Sequence, residues 1–241
     1  MNRRFVDLSM PVHQDMKVFP RLAQPKVEMV DTWYGFAKAI GAVEHGEDHL
    51  TAHCSVTVSD HAGTHIDALK HMGNDDTPGP EGIPLEYCFG DGVVLDFRHL
   101  PYGSAITISD MEVALAKIDY ELKPRDIVLI RTGASEYNHE DRYLTDHIGM
   151  TAEATKWLID QDCKVMGTDA PTFDPPVWAM FETKKFWLAH KVMMTDPYWH
   201  IENLTNLGAL PPHGFQLSVF PVKWVGTTGA PVRAVGIIDG D

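Results

Sequence analysis

Residues 59–71 read SDHAGTHIDALKH, which places three imidazoles and one carboxylate within eleven residues. The four side chains belong to His61, His65, Asp67 and His71, and all of these positions are odd. On an extended chain, successive side chains alternate between faces, so all four would point the same way. A helix would bring His61 and His65 together but would turn Asp67 to nearly the opposite side. The spacing therefore predicts an extended segment that runs into a loop.

A metal site in this segment requires a bend in the chain. Four extended residues span roughly 13 Å, which is too far for His61 and His65 to bind one ion, and Gly63 between them can supply the bend. Histidine nitrogens with one carboxylate are normal ligands for zinc, manganese or ferrous iron. The alternative is a chance group of solvated or hydrogen-bonded histidines, because the chain has 13 of them. Four potential ligands of one parity favour the metal site.

Composition limits the class of protein. The 241 residues and 26.9 kDa correspond to one large domain or two small ones. The formal net charge of -14 argues against nucleic acid or an anionic membrane as a partner, because phosphate repulsion would not be offset. An anionic small molecule remains compatible with this charge, since a bound dication can dominate the local field.

Targeting and redox features point to the cytoplasm. The basic residues near the N-terminus are not followed by an apolar run, so residues 1–7 do not predict a signal peptide. No apolar run approaches the length of a membrane span. Cys54, Cys88 and Cys163 are widely spaced, so we expect free thiols in a reducing compartment rather than disulfides or a cysteine metal site.

The pattern of apolar runs predicts one α/β domain over residues 1–241, with a mixed β-sheet and few helices. Helices are expected from a capping box at Ser109 to about residue 122, and after Thr151. Residues 21–49 have several aromatic residues and little periodicity, so they predict a flap over the site or an arm for oligomer contacts. Strands are predicted at residues 5–10, 50–58, 92–97, 126–132, 163–169 and 190–195, with a terminal hairpin from 214–221 and 230–238.

A second group of polar residues follows late in the chain. His200 and Glu202 would share one face of a strand-like segment, and His190 precedes them. Glutamate is rarely buried unless it is paired or binds a metal. On spacing alone, the alternative is a surface glutamate beside a surface histidine.

These motifs together resemble a known family. HAGTHID at 61–67, followed after three residues by His71, is similar to the signature of the cyclase family of metal-dependent hydrolases, which includes bacterial kynurenine formamidase and isatin hydrolase. The resemblance extends over nearly the whole chain and implies a swivelling β/α/β-like fold. Four further stretches agree in order, namely LIRTG at 129–133, GTDAP at 167–171, IENL at 201–204 and GAPVRA at 229–234.

The resemblance also implies roles for individual residues. It makes His71 the catalytic acid and base, and it implies one or two divalent ions, zinc or manganese, with Asp67 bridging where there are two. His190 and Glu202 have the separation of twelve that completes the site in the family's dinuclear formamidases. The metal ligands implied in this way are His61, His65, Asp67, His190 and Glu202.

Departures from the family pattern predict a different substrate from that of the formamidases. Leu69 stands where they have proline, and Phe19 stands where they have a tryptophan that contacts substrate. The segment 21–49 is also longer than theirs. We therefore expect Phe19 to contribute to a substrate pocket whose lining is particular to this chain, and His200 to lie in that pocket or behind the metal ligands.

Three functions follow as hypotheses. The first is hydrolysis of a small non-peptide amide, cyclic or N-formyl, or of an ester or lactone, by metal-activated water. The second is a lyase or cyclase reaction through an enolate, and the third is a non-catalytic metal- or ligand-binding protein. Asp60 and Thr64 could support the ligand imidazoles or could serve only as turn residues. Relatives usually form homo-oligomers, so a dimer or tetramer is expected.

Overall fold

A computed structural model describes residues 2–240 and contains thirteen strands and five α-helices over that range. The strands are β1 (Arg3–Asp7), β2 (Lys26–Asp31), β3 (His53–Thr57), β4 (His65–Asp67), β5 (Phe89–Asp96), β6 (Ala105–Ile106), β7 (Ile127–Arg131), β8 (Gly149–Met150), β9 (Val165–Thr168), β10 (Trp199–Glu202), β11 (Phe215–Ser218), β12 (Gly229–Pro231) and β13 (Val235–Asp239). The helices are α1 (Trp33–Ala39), α2 (Ile108–Lys117), α3 (Ala152–Asp160), α4 (Val177–Thr183) and α5 (Leu188–Lys191).

Nine of these strands form one mixed sheet, in the order β1-β13-β11-β5-β7-β9-β10-β4-β12. Strands β5, β7, β9 and β10 are parallel to one another, and the strands on both sides of them are antiparallel. Parallel strands that are covered on both faces are built from continuous apolar runs, and residues 127–130 (IVLI) are such a run. The predicted α/β class with a mixed sheet is confirmed.

The two faces of the sheet build two apolar cores. Val128 and Ile130 point to the core beneath α2 and α3, whereas Ile127 and Leu129 point to the opposite core. The second core also contains Val6 and residues from strands β4, β10 and β11. Because both ends of the sheet contribute to one core, the sheet is curled. Strands β4 and β12 form the edge next to the parallel strands, because β4 pairs with β10 and β12 pairs with β4.

The longer helices begin at threonine N-caps. Thr151 caps α3, as predicted, and its hydroxyl accepts a hydrogen bond from the backbone N–H of Ala154. The capping box predicted at Ser109 is wrong, since Thr107 caps α2 and Asp110 closes the box. Serine and threonine both favour the N-cap position. The sequence therefore offered Thr107 and Ser109 as alternative starts of α2. No helix within residues 2–240 is long and apolar enough to span a membrane.

Two predicted strands have a different structure. Residues 190–195 belong to α5 and a 3-10 turn at Val192–Met194, because a short apolar run cannot by itself distinguish a strand from a buried helix. The region 230–238 is divided between β12, which pairs with β4 at one edge, and β13, which pairs with β1 and β11 near the other. The hairpin prediction therefore holds only for β11 and β13.

The segment at 21–49 contains β2 and α1 and lies outside the main sheet. Strand β2 pairs only with β3, and every residue of β3 is exposed. The strand predicted at 50–58 thus exists, but it does not join the sheet that holds β4. Large apolar side chains in this two-stranded unit and α1 are exposed, namely Val27, Met29, Val30, Trp33, Tyr34, Ile40 and Val56.

Candidate metal centre and active site

The segment that carries the first cluster bends where the sequence predicted. Gly63 has a φ of +71°, in the left-handed region that glycine adopts without steric cost. The bend separates His61 from β4, which carries His65 and Asp67. A 3-10 turn at Leu69–His71 then returns His71 toward the same point. The predicted bend and the predicted loop after the segment are therefore present, whereas the extended part is limited to His65–Asp67.

Strand pairing brings the late residues to the early ones. Glu202 on β10 lies directly opposite His65 on β4 in an antiparallel register. His200 lies two residues earlier on the same strand and is fully buried. His190 comes from α5 and is also buried. The order of the strands in the sheet thus brings together, at one point, residues that are more than a hundred positions apart in the chain.

One group of donor atoms in this cluster surrounds Asp67 Oδ1 and Glu202 Oε2. Asp67 Oδ1 lies 2.8 Å from His61 Nδ1 and 3.1 Å from His65 Nε2. Glu202 Oε2 is 3.6 Å from the same His65 nitrogen. We call these four groups the first donor set.

The other oxygens of the same two carboxylates face different histidines. Asp67 Oδ2 lies 3.2 Å from His200 Nε2 and 3.4 Å from His190 Nε2. Glu202 Oε1 is 3.3 Å and 3.5 Å from these two nitrogens. Donor atoms of all four residues lie within 4.8 Å of one another, as a metal site requires. We call them the second donor set.

His71 is more exposed than the other four histidines of the cluster. Its Nε2 is 3.6 Å from Asp67 Oδ2, and 31% of its side chain is exposed. Its ring centroid is 4.3 Å from that of His61. Burial lowers the pKa of His71 to about 4, so the imidazole is neutral at pH 7.

Two groups of donor atoms could hold a divalent cation. One is the second donor set, and the other is His61 with Asp67 and His71, whose donor atoms also lie within 4.8 Å of one another. Among the described residues, the buried His65 Nε2, both Asp67 oxygens and both His200 nitrogens lack a hydrogen-bond partner, and such groups are costly unless a ligand satisfies them. Burial opposes charge on Asp67, yet the surrounding histidines, His71 first, hold its pKa well below the usual range. Two buried carboxylates therefore require positive charge here, which a metal ion would supply.

Hydrogen bonds outside the cluster orient two of the imidazoles. His190 Nδ1 lies 2.6 Å from Asp174 Oδ2, which directs Nε2 toward the second donor set. Burial favours the neutral ring, but this bond and Asp67 raise the pKa of His190 well above its ordinary value. His65 Nδ1 contacts the carbonyl of Gly63 at 2.9 Å, so its Nε2 faces the first set. Such partners fix the tautomer of metal-binding histidines.

A third imidazole, that of His61, is oriented by the hydroxyl of Thr228. His61 Nε2 lies 2.8 Å from Thr228 Oγ1, which donates to Asp60 Oδ2 at 2.8 Å. Asp60 thus supports His61 indirectly, one of its two predicted alternatives. Thr64 instead fastens the backbone, since its hydroxyl donates to the carbonyl of Asn203 and accepts from the N–H of Met10.

Asp174 and Thr228 were missed by the sequence analysis. Asp174 follows the GTDAP stretch and precedes two prolines, and nothing in its spacing from His190 indicates a contact. Thr228 lies in the turn before β12, where threonine is common. A polar residue beside each family motif was the only available signal for either.

A cavity of about 440 Å³ opens above the cluster. Phe19 lines it, in the place expected for a substrate contact. His200 does not, since it is 0% exposed and its ring stacks on Phe173 at a centroid distance of 4.7 Å. The predicted substrate contact for His200 is therefore less compatible with its position than a ligand role. The cavity is lined chiefly by apolar residues, namely Val18, Phe19, Leu22, Met72, Leu144, Pro171, Phe186 and Trp187.

Comparisons with known proteins agree with the motifs. A sequence model of the family described as putative cyclase matches residues 6–175. Kynurenine formamidase from Erythrobacter litoralis (strain HTCC2594) is 27% identical over 97% of this chain and 93% of its own, and that from Bordetella avium (strain 197N) is 28% identical over 97% of both chains.

Solved structures share the fold. An isatin hydrolase bound to the product analogue thioisatinate has a TM-score of 0.84 at 16% identity, covering 99% of this chain and 93% of that one. Isatin hydrolase A from Labrenzia aggregata, bound to benzyl benzoate, has a TM-score of 0.82 at 23% identity, covering 99% and 94%. At this level of identity, the structural likeness establishes the architecture.

Proposed function

Because this chain belongs to the putative cyclase family, we propose that it is a metal-dependent hydrolase of a small non-peptide amide, cyclic or N-formyl, or of an ester or lactone. The observation that carries the proposal is the convergence of five histidines and two carboxylates at the base of one apolar cavity. The formamidase and isatin hydrolase activities named for its relatives support amide chemistry.

We propose that the two donor sets bind two divalent ions. Asp67 and Glu202 each direct one oxygen to each set, which is the arrangement of a carboxylate bridge. His61 and His65 would complete the first set. His190 and His200 would complete the second, so His200 becomes a ligand rather than a substrate contact. Nitrogen and oxygen donors without sulfur suit zinc or manganese.

His71 is the proposed acid and base. A divalent cation held by the donor sets would lower the pKa of a water molecule and polarise the substrate carbonyl. His71 Nε2 lies close to the cluster and also faces the cavity. It can take a proton from the attacking water and return it to the departing nitrogen or oxygen.

Oxygen labelling in heavy-oxygen water separates hydrolysis from the two alternative functions. We expect the metal-loaded protein to turn over aryl formamides, cyclic amides or lactones and to place one solvent oxygen in the acid product. A lyase or cyclase would form product without solvent oxygen. Full metal content without turnover of any of these compounds would favour the non-catalytic binding protein. Elemental analysis of the same sample identifies the ion and its stoichiometry.

We propose that the protein is a homo-oligomer and that residues 21–49 form its arm together with β3. An isolated two-stranded hairpin is marginally stable in water. Large apolar side chains of β2, β3 and α1 are exposed, and exposed apolar patches mark interaction sites. The occupant we infer is a second copy, because symmetric homo-oligomers are the commonest assemblies.

Light scattering tests the arm. We expect a particle of two or four chains of 26.9 kDa and a shift toward the monomer when Val30 on β2, 56% exposed, is replaced by arginine. Val113→Arg is the control, since Val113 is 65% exposed on α2 outside the arm. A monomeric wild type, or equal masses for both variants and the wild type, would contradict the proposed interface.

We propose a cytoplasmic location, which the three free cysteines support. Burial raises the pKa of Cys88 to about 11 and that of Cys163 to about 12, so both are unreactive thiols. Cys54 is exposed and unpaired with another cysteine. Free thiols of this kind are typical of a reducing compartment.

A further inference from the structure

The cavity has an unusual charge for this protein. The chain carries 34 acidic and 20 basic residues, yet the cavity is lined by Lys17 and Lys191 and by a single carboxylate among the described residues. That carboxylate is Glu202, whose oxygens face the two donor sets. The accessible part of the cavity is therefore apolar and cationic, which favours an anionic ligand.

Lys191 is the cation available to such a ligand. It is the last residue of α5, next to His190, and it is exposed. Within residues 2–240, the lysine ion pairs involve other lysines, and no carboxylate lies within 4 Å of the Lys191 ammonium. Lys17 differs, because it pairs with Asp141.

Trp187 stands one helical turn before Lys191 on the same wall. The backbone N–H of Lys191 donates to the carbonyl of Trp187 at 2.9 Å, and both residues line the cavity. Trp187 has φ +49° and ψ +46° and is the one aromatic residue with positive φ in the described part of the chain. A bulky residue in this conformation is strained, and such strain concentrates at functional sites.

We propose that Trp187 and Lys191 form the specificity wall of the cavity and select a substrate that carries both a carboxylate and a planar apolar ring. The ring packs on the indole of Trp187, and the carboxylate pairs with the Lys191 ammonium. His190 lies between them in the chain and faces the second donor set. The inference rests on the proposed hydrolytic function, since it names the substrate class of that same site.

Matched substrates test Lys191. We expect wild type to release formate from 2-, 3- or 4-formamidobenzoate with a higher kcat/KM than from the corresponding neutral formamidobenzamide. Lys191→Met should lower kcat/KM for the best benzoate by about 10- to 100-fold, the size expected for a hydrogen bond between charged groups. The value for the benzamide should stay within about threefold, and Lys191→Arg should keep most of the benzoate activity.

The control is Lys223→Met, which makes the same charge change at an exposed lysine outside the cavity lining and should leave the preference unchanged. Equal turnover of both series by wild type, or an equal loss for both in Lys191→Met, would overturn the inference but leave the hydrolytic function intact. Absence of formate release from every compound, with metal bound, would overturn this inference. It would count against the hydrolytic function only if cyclic amides and lactones were also left uncleaved.

Trp187 is tested through the opposite effects of one change. Trp187→Gly removes the ring and relieves the positive-φ strain, so we expect the melting temperature to be unchanged or higher while kcat/KM for the preferred benzoate falls about tenfold or more. Trp187→Phe should restore part of the activity because a ring is again present. Unchanged kcat/KM in Trp187→Gly would remove Trp187 from the specificity wall.

Discussion

Replacing Glu202 by glutamine is expected to leave the protein folded but without most of its bound metal. Glutamine keeps the side-chain size and can still accept the hydrogen bond that the N–H of Phe173 donates to Oε1 at 2.8 Å. It removes the charge shared by both donor sets. Metal affinity should fall by on the order of 100-fold or more, because even partners outside the ligand shell contribute 10- to 100-fold. Elemental analysis after dialysis measures the loss.

The thermal stability of the same variant makes the test specific. Metal bound only to the native state stabilises it, so a chelator should lower the melting temperature of the wild type and have little effect on Glu202→Gln. Without metal, the variant should be at least as stable as the wild type, since Asp67 no longer faces a second buried carboxylate. Glu136→Gln, at an exposed glutamate outside the cluster, is the control. Unchanged metal content in Glu202→Gln would reduce Glu202 to a structural residue.

The sequence predicted the first cluster well because its geometry is local. His61, His65, Asp67 and His71 are placed by one bend, one short strand and one turn, and parity and a glycine are sufficient to indicate them. The strands of the sheet centre were equally predictable, since an uninterrupted apolar run of strand length has few other uses. In both cases the decisive contacts are close in the sequence or depend on composition alone.

The second donor set could not be derived from local patterns. The position of Glu202 opposite His65 follows from the register of β10 on β4, which depends on the folding of the whole sheet. His190 was assigned to a strand although it lies on α5, and only the family resemblance linked it to Glu202. The sequence placed His200 beside the substrate or behind the metal ligands. Its burial follows from packing against Phe173, and residue spacing does not reveal that contact.

His71→Ala is expected to keep the bound metal but to lose about 10²- to 10⁴-fold in kcat, the range typical of a general acid and base. Its side chain is the most exposed imidazole of the cluster, with 31% exposed against 12% for His61 and 1% for His65. A group that faces both the cluster and the cavity can transfer protons without being required to hold the ion. Steady-state kinetics and elemental analysis on the same sample measure both quantities.

Two further observations decide between proton transfer and metal binding by His71. Added imidazole should restore part of the activity of His71→Ala, because a small base can enter the space that the side chain leaves. His49→Ala removes an exposed histidine outside the cluster and should change neither kcat nor metal content. The geometry also groups His71 with His61 and Asp67 as donors within reach of one ion. Loss of metal from His71→Ala without rescue by imidazole would therefore make His71 a ligand, and the proton would have to move through another group.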